Sequence, residues 1–240
     1  MTVKPYSESG SKKVQIEAMF DNIAPNYDLL NRVLTLGIDT RWRAKAIKEL
    51  AAHKPLTILD VATGTGDFAL EAYKRLQPSK IVGIDISHEM LELGRKKISK
   101  KSLDDKIEMI KADSEDLPFD EDSFDAVTAS FGVRNFENLE KGIKENYRVL
   151  KPGGKIVILE FTKPRAFPFK QLFNIYFRYV LPVIGKVKSK DSSAYKYLYE
   201  SVQAFPDYDE FLKVMKNVGF KSCSWKSLSF GICAIYLGEK

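Results

Sequence analysis

Apolar residues first recur at helical spacing. Ile16, Met19, Phe20 and Ile23, then Leu29, Leu30, Val33, Leu34 and Leu36, fall three and four residues apart, which predicts helices over 14–52 ahead of any strand. The pattern then changes. Thr57-Ile58-Leu59-Asp60-Val61 is a short apolar run between Pro55 and a glycine cluster, the mark of a strand buried on both faces. Strand and helix alternate from there. Further strands are expected at Ile81–Ile84, Ile107–Ala112, Phe124–Ser130 and Lys155–Phe161. A helix over Ser87–Ile98 takes Ser87 as its N-cap, and another over Asn138–Leu150 stops at Lys151-Pro152-Gly153-Gly154. Such alternation predicts right-handed crossovers and a parallel sheet covered on both faces. The chain closes differently, because Lys221–Phe230 and Ile232–Leu237 are separated only by Gly231 and must pair as an antiparallel hairpin.

Between the fifth strand and this hairpin, residues 161–211 hold 13 of the chain's 28 aromatics. An insertion there sits where ligands bind in open α/β sheets. Taken as a helix, Lys170–Leu181 places Lys170, Gln171, Asn174 and Arg178 on one polar stripe, with apolar residues around the rest and Pro182 at its end. Two uses suit it: a helix buried against the sheet, or an apolar lid whose Lys170, Arg178, Lys186, Lys188 and Lys190 face anionic lipid. It is too short to span a bilayer.

Composition narrows the class. At 240 residues, 44% hydrophobic and 29% charged, the chain buries a large core without disulfides or metal. Residues 1–13 lack an apolar signal region and read as a disordered lead-in; 14–240 form one domain, with 14–52 as a helical cap and 162–211 as a substrate-covering insertion. Cys223 and Cys233 suit two unpaired thiols in a reducing cytoplasm, and no metal set is expected. The net charge of +6 is compatible with an anionic surface and equally with plain solubility. No aromatic-studded basic stripe suggests nucleic acid.

The chemistry concentrates at strand ends. Asp60-Val61-Ala62-Thr63-Gly64-Thr65-Gly66-Asp67 runs from a strand through a glycine turn into a helix, where missing side chains let a ligand approach backbone donors. Asp85 ends the second strand 21 residues after Gly64, placed to accept both hydroxyls of a ribose. Asp113 follows the third strand and suits the exocyclic amine of adenine, with the Ser114 amide beside it. These residues describe one nucleoside crevice. The glycine spacing alone leaves a nicotinamide cofactor open.

Loop, acids and closing hairpin together resemble the class I S-adenosylmethionine methyltransferases, whose Rossmann-like fold has seven strands with the last antiparallel. The resemblance implies that Thr65 and the Gly64 and Gly66 backbone hold the methionine part, Asp85 the ribose, and Asp113 with Ser114 the adenine. Asp60, Thr63 and Ser130 belong to the same cofactor set. It narrows on longer motifs: Tyr27-Asp28-x-x-Asn31-x-x-x-Thr35-x-Gly37-x-x-x-x-Trp42-Arg43, Ser130-Phe131-Gly132-Val133-Arg134-Asn135, and Arg148-Val149-Leu150-Lys151-Pro152-Gly153-Gly154 running to Glu160-Phe161-x-x-Pro164. These are similar to the ubiquinone/menaquinone biosynthesis C-methyltransferases, on their demethylmenaquinone side. Thr35 stands where relatives usually have Ser, and Asp113 where many have Asn.

The resemblance implies methylation of a polyprenyl naphthoquinol, demethylmenaquinol, at a ring carbon. That carbon is electron-rich only when its neighbouring hydroxyl is deprotonated or strongly hydrogen-bonded, and a phenol of pKa about 10 is mostly protonated at neutral pH. Arg134 and Asn135, just after the fourth strand, are the first choice for gripping that oxygen, while Tyr27 and Asp28 order a water or accept the proton. The rivals are a benzoquinol of the ubiquinone pathway, another small acceptor, a nicotinamide-dependent reductase, and a cofactor-binding module without catalysis. The expected setting is the cytoplasm, peripheral at the inner face of the membrane; pairing as a homodimer is compatible with the sequence.

Overall fold

The computed structural model describes residues 3–6, 10–176 and 193–240, and element labels follow chain order within them. Seven strands form one sheet in the order β3-β2-β1-β4-β5-β7-β6: β1 Thr57–Val61, β2 Lys80–Asp85, β3 Ile107–Lys111, β4 Phe124–Ser130, β5 Leu150–Phe161, β6 Lys221–Leu228 and β7 Cys233–Glu239. Strands β1 to β5 are mutually parallel. Strand β7 runs antiparallel to both β5 and β6, which is the reversed hairpin expected around Gly231.

Alternation along the strands builds two core layers. In β5, Ile156 and Ile158 join one cluster while Val157 and Leu159 join the other, because successive side chains leave opposite faces. On the first face lie Ile143 and Val149 of α6 (Leu139–Val149) with Phe211 and Met215 of α9 (Asp209–Val218). On the second lie α3 (Asp39–Lys48), α4 (Asp67–Leu76) and α5 (His88–Ser99), through Ile47, Phe68, Ala72 and Leu91. The expected caps are in place: Ser87 Oγ accepts from the Met90 amide, and Asn138 Oδ1 from that of Lys141.

The remaining helices sit over the carboxyl ends of the strands. They are α1 (Lys12–Ile23), α2 (Tyr27–Thr35), α7 (Phe169–Ile175) and α8 (Ser193–Ala204). Ile16 and Met19 of α1 pack with Ala194 and Tyr197 of α8, and Leu30 of α2 packs with Phe173 and Tyr195. Helix α1 starts inside the stretch expected as disordered lead-in: Val3 and Tyr6 pack on its cluster, and the buried Lys12 amine donates to Arg134 O and Phe136 O at 3.1 and 2.7 Å. Where a helix is expected over Lys170–Leu181, α7 runs from Phe169, one residue earlier, to Ile175. The residues at 177–192, including Arg178, Lys186, Lys188 and Lys190, lie outside the described part.

Asp125 on β4 ties the sheet's opposite end. Its carboxylate accepts from the Leu56 and Thr57 amides at 3.0 and 2.8 Å and pairs with Lys151 at 2.8 Å. Partial burial opposes its ionisation, but Lys151 and the Thr57 and Leu56 bonds outweigh it and hold the carboxyl down at about 2. A depressed carboxyl contributes its stability fully above its unfolded value and loses it as pH falls through the folded one. Asp125→Ala is therefore expected to cost about 2 kcal/mol at pH 7, with the gap to the parent narrowing as pH falls from about 4 towards 2, as read by urea unfolding.

Candidate active site

Strand β1 pairs β2 on one side and β4 on the other, so the chain reverses its winding between β1 and β4 and opens a crevice at their carboxyl ends. Both loops there are unusual. Gly64 and Gly66 hold φ of +57° and +80°, a conformation glycine takes without steric cost. Ala62 and Phe131, the residues that follow β1 and β4, also have positive φ, at 52° and 59°, which costs about 1–3 kcal/mol each and must be enforced by the surroundings. A Cβ on Gly132 would stand 2.5 Å from that of Ala62, so only glycine lets the two loops meet.

Of the residues expected to hold the cofactor, Gly64, Asp85, Asp113, Ser114 and Ser130 line this crevice. Asp85 is buried and accepts from the Gly64 amide at 2.8 Å and the Ser87 amide at 2.9 Å. Burial raises its carboxyl to about 6 against the backbone bonds from Ser87, Gly64 and Ile86. Ser130 Oγ is buried without a partner, an unfilled hydrogen-bonding site on the crevice wall. Asp113 pairs with Lys13 of α1. These groups suit a nucleoside with an amino-acid tail.

Asp60, Thr63, Thr65 and Gly66 stand behind the crevice and shape it. The Asp60 carboxylate accepts from Thr63 Oγ1 at 2.5 Å and Thr128 Oγ1 at 2.7 Å; burial raises it to about 6 despite both hydroxyls. Thr65 Oγ1 donates to Asp28 at 2.7 Å, and Lys97 of α5 pairs with Asp28 at 2.6 Å and Asp67 at 2.7 Å. Asp28 is thus committed to the glycine loop, where it fastens α2 across the cofactor side. Lys97 joins the two; its place in a cationic helix end suggests no such role from sequence alone.

Beside the crevice lies a cavity of about 810 Å³ with a mostly apolar wall. Helices α2, α7 and α8 supply Leu30, Leu34, Phe173 and Leu198, strand β5 supplies Phe161, and the residues flanking β4 and β7 supply Phe131 and Ile232. Phe20, Tyr27 and Phe131 line both spaces, so a donor in one and an acceptor in the other meet across them. Tyr27 is a poor base here: burial pushes its phenol up, partly offset by a hydrogen bond to Asn31 and the charges of Arg134 and Arg43.

Arg134 lines the cavity with its side chain 8% exposed. It donates to the Phe131 carbonyl and pairs at 2.8 Å with Glu160 of β5, which is fully buried. Burial raises the Glu160 carboxyl, against Arg134 and the Phe161 amide. Asn135 lies on the crevice side, where its Oδ1 accepts from Tyr197 at 3.1 Å. Glu160 and Arg43 stand in the quoted motifs without a role, and Asp39 falls at an unspecified position between Gly37 and Trp42. What signals them is charge in otherwise apolar contexts: Glu160 in a buried strand, and Asp39 and Arg43 one turn apart on α3.

Comparisons agree with this geometry. The model of the ubiE/COQ5 methyltransferase family matches residues 8–240. A demethylmenaquinone methyltransferase of Bacteroides fragilis is 51% identical over 238 residues, covering 99% of this chain and 97% of its own. A ubiquinone/menaquinone biosynthesis C-methyltransferase of Geotalea daltonii is 52% identical over 235 residues, 98% of each chain. Among solved structures, a SAM-dependent methyltransferase of Thermotoga maritima superposes with a TM-score of 0.67 at 18% identity, covering 94% of this chain and 99% of that one, a likeness of fold.

Were Asp85 to take the ribose hydroxyls, as the family resemblance implies, its ionised form would hold them better than its protonated one, and cofactor affinity should rise with pH through the carboxyl's value of about 6. Calorimetric titration with S-adenosylhomocysteine is expected to show Kd falling by up to about tenfold per unit between pH 5 and 6 and levelling above. Asp85→Asn should bind more weakly and lose the slope.

Proposed function

The chain belongs to the ubiE/COQ5 methyltransferase family, and on that footing we propose that it methylates a ring carbon of a polyprenyl naphthoquinol, demethylmenaquinol, in menaquinone biosynthesis. The observation that carries the reading is the 810 Å³ apolar cavity, with a charged, ion-paired Arg134 in its wall, adjoining the cofactor crevice through Tyr27 and Phe131. A fused aromatic ring with a hydrocarbon tail fits such a wall.

S-adenosylmethionine supplies a methyl group on a positively charged sulfur when bound against Gly64, Asp85, Asp113, Ser114 and Ser130. The ring carbon would take that methyl as the carbon–sulfur bond breaks, the electron pair of the broken bond staying on the sulfur. The ring C–H proton then leaves and the ring oxygen regains the proton its hydroxyl gave up, so each turnover releases one proton and the acceptor is not oxidised. What the protein must do is raise the electron density on that carbon. Arg134 offers a fixed cation and directed donors to the neighbouring oxygen as its hydroxyl proton leaves, and being positioned by Glu160 and the Phe131 carbonyl it needs no reorganisation. Asn135, held by Tyr197, sits one residue on and closes the same turn against the cofactor side. With the Tyr27 phenol kept protonated and Asp28 engaged by Thr65 and Lys97, neither has a free basic atom for the ring hydroxyl, and water takes its proton.

The tail needs an exit. Leu36 and Phe230 line the cavity yet are 91% and 70% exposed, with Leu172 at 56% beside them. An exposed apolar rim around an apolar chamber suits a bilayer surface, from which a lipid quinol enters without crossing water. No described helix is long and apolar enough to cross a membrane.

Two measurements test this reading. Label from S-adenosylmethionine should appear in chemically reduced short-tail demethylmenaquinone. Label in a matched benzoquinol as well would extend the substrate range to both quinone pathways, and label in neither, with cofactor binding confirmed, would overturn the quinol reading. Arg134→Lys, which keeps a charge opposite Glu160 but loses the directed fork of donors, should lower kcat by roughly 100- to 1,000-fold, the size of a lost oxyanion donor, while S-adenosylhomocysteine affinity is retained. Separately, flotation with phosphatidylglycerol vesicles should recover the protein, and Leu36→Ser with Phe230→Ser should release it into the soluble fraction.

A further inference from the structure

Arg134 has a counterpart in the same chamber. Arg43 of α3 also lines the cavity, and its side chain is likewise 8% exposed. Asp39, one turn earlier and itself bonded by Thr35 Oγ1 at 2.8 Å, pairs with it. Each guanidinium leaves its Nε buried and without a partner. A buried N–H with no acceptor is destabilising unless a ligand supplies one.

The two stand at opposite ends of one aromatic column. The Arg43 guanidinium carbon lies 5.8 Å from the Phe131 ring centre, Phe131 and Phe161 are 4.5 Å apart, and Arg134 lies 5.6 Å from Phe161. Both charges reach the Tyr27 phenol. Helix α3 is fixed there because Trp42 Nε1 donates to Ser229 Oγ at 2.9 Å.

We propose that Arg43 is a specificity-determining residue that takes the second oxygen of a 1,4-dihydroxy ring, the one remote from the methylated carbon, while Arg134 takes the near one. The assignment rests on the quinol reading above. A hydroquinol carries two oxygens on opposite edges of its ring, and the chamber wall carries two carboxylate-backed guanidiniums. The oxygens differ in chemistry. The one on the adjacent carbon feeds electrons into the acceptor carbon, whereas the para oxygen is meta to that carbon and cannot do so by resonance. Arg43 therefore orients the ring and selects its substitution, and its loss should appear mainly in KM.

The test compares two acceptors across three proteins. Wild type, Arg43→Met and Arg43→Lys are assayed with the reduced prenylated naphthoquinone and with 1-naphthol carrying the same chain at carbon 3, which keeps the activating hydroxyl and lacks the remote one. Intrinsic reactivity cancels when the acceptor ratio in a variant is divided by that in wild type. Wild type is expected to prefer the diol, and Arg43→Met to reduce that preference by roughly 10- to 100-fold, the range for one hydrogen bond to a charged group. Its loss with the diol should lie in KM, with the naphthol little affected and S-adenosylhomocysteine binding unchanged. Arg43→Lys should fall between and decides the matter if the Met variant does not fold. Equal losses on both acceptors would reduce Arg43 to a structural role and overturn the proposal. Wild type that binds cofactor and labels neither acceptor would remove the quinol reading itself, and this assignment with it.

Discussion

A carboxylate in the middle of a sheet is held there by one cation. Glu160 lies fully buried in β5 and its charge is met by Arg134, with backbone amides from Phe161 and Arg134 itself. Removing either partner would strand the other without water, a loss of about 3–5 kcal/mol for a broken buried pair. The pair fixes more than itself. Arg134 also donates to the carbonyl of Phe131, whose left-handed backbone turns the chain away from β4, and Lys12 reaches from α1 to the carbonyls of Arg134 and Phe136. Burial, with the nearby Arg134 charge, lowers that amine to about 8, so the N-terminal helix docks through a cation that has given up water to be there.

From this clamp the two ligand spaces follow. The Phe131 turn sets the ring that separates crevice from cavity, and Gly132 lets it press against the β1 loop. On the far side, α2 is fastened by Asp28 to Thr65 and Lys97. Tyr27, one residue earlier, is thereby carried to the boundary of both spaces. Substrate geometry thus depends on interactions whose own atoms touch neither space: Asp28 and Lys97 place Tyr27, while Thr63 and Asp60 brace the glycine loop.

The sheet was legible in the sequence because its signals are local. Buried strands are short apolar runs, and Phe124–Ser130 is both expected and observed; Gly231 allowed only a hairpin. Strand β5 extends back to Leu150, beyond its expected start at Lys155, because the Pro152-Gly153-Gly154 turn continues the pairing with Phe124 through an irregularity that reads as a stop. The crevice was legible for the same reason: Gly64, Asp85, Asp113 and Ser130 each end or follow a strand. The roles of Asp28, Lys97 and Arg43 were not, since each depends on a contact between helices that periodicity does not report. Arg43 sat inside a quoted motif, yet only the fold brings it to the chamber shared with Arg134.

The charge balance of the chamber bears on what it admits. Each arginine is matched by its own carboxylate, Asp39 or Glu160, so a neutral, apolar ring enters a wall that carries no excess charge. An acceptor bearing a full negative charge would meet those carboxylates as well as the guanidiniums and would gain little over water. Negative charge that forms on a ring oxygen as its hydroxyl proton leaves is different, because it develops at the guanidinium edge inside the chamber, where directed donors are strongest, and is then drawn into the ring carbon as the methyl is transferred. On the proposed reading the chamber therefore divides its work: Arg43 and the apolar wall hold the neutral quinol in the ground state, while Arg134 stabilises the anionic oxygen on the way to methyl transfer and so raises turnover.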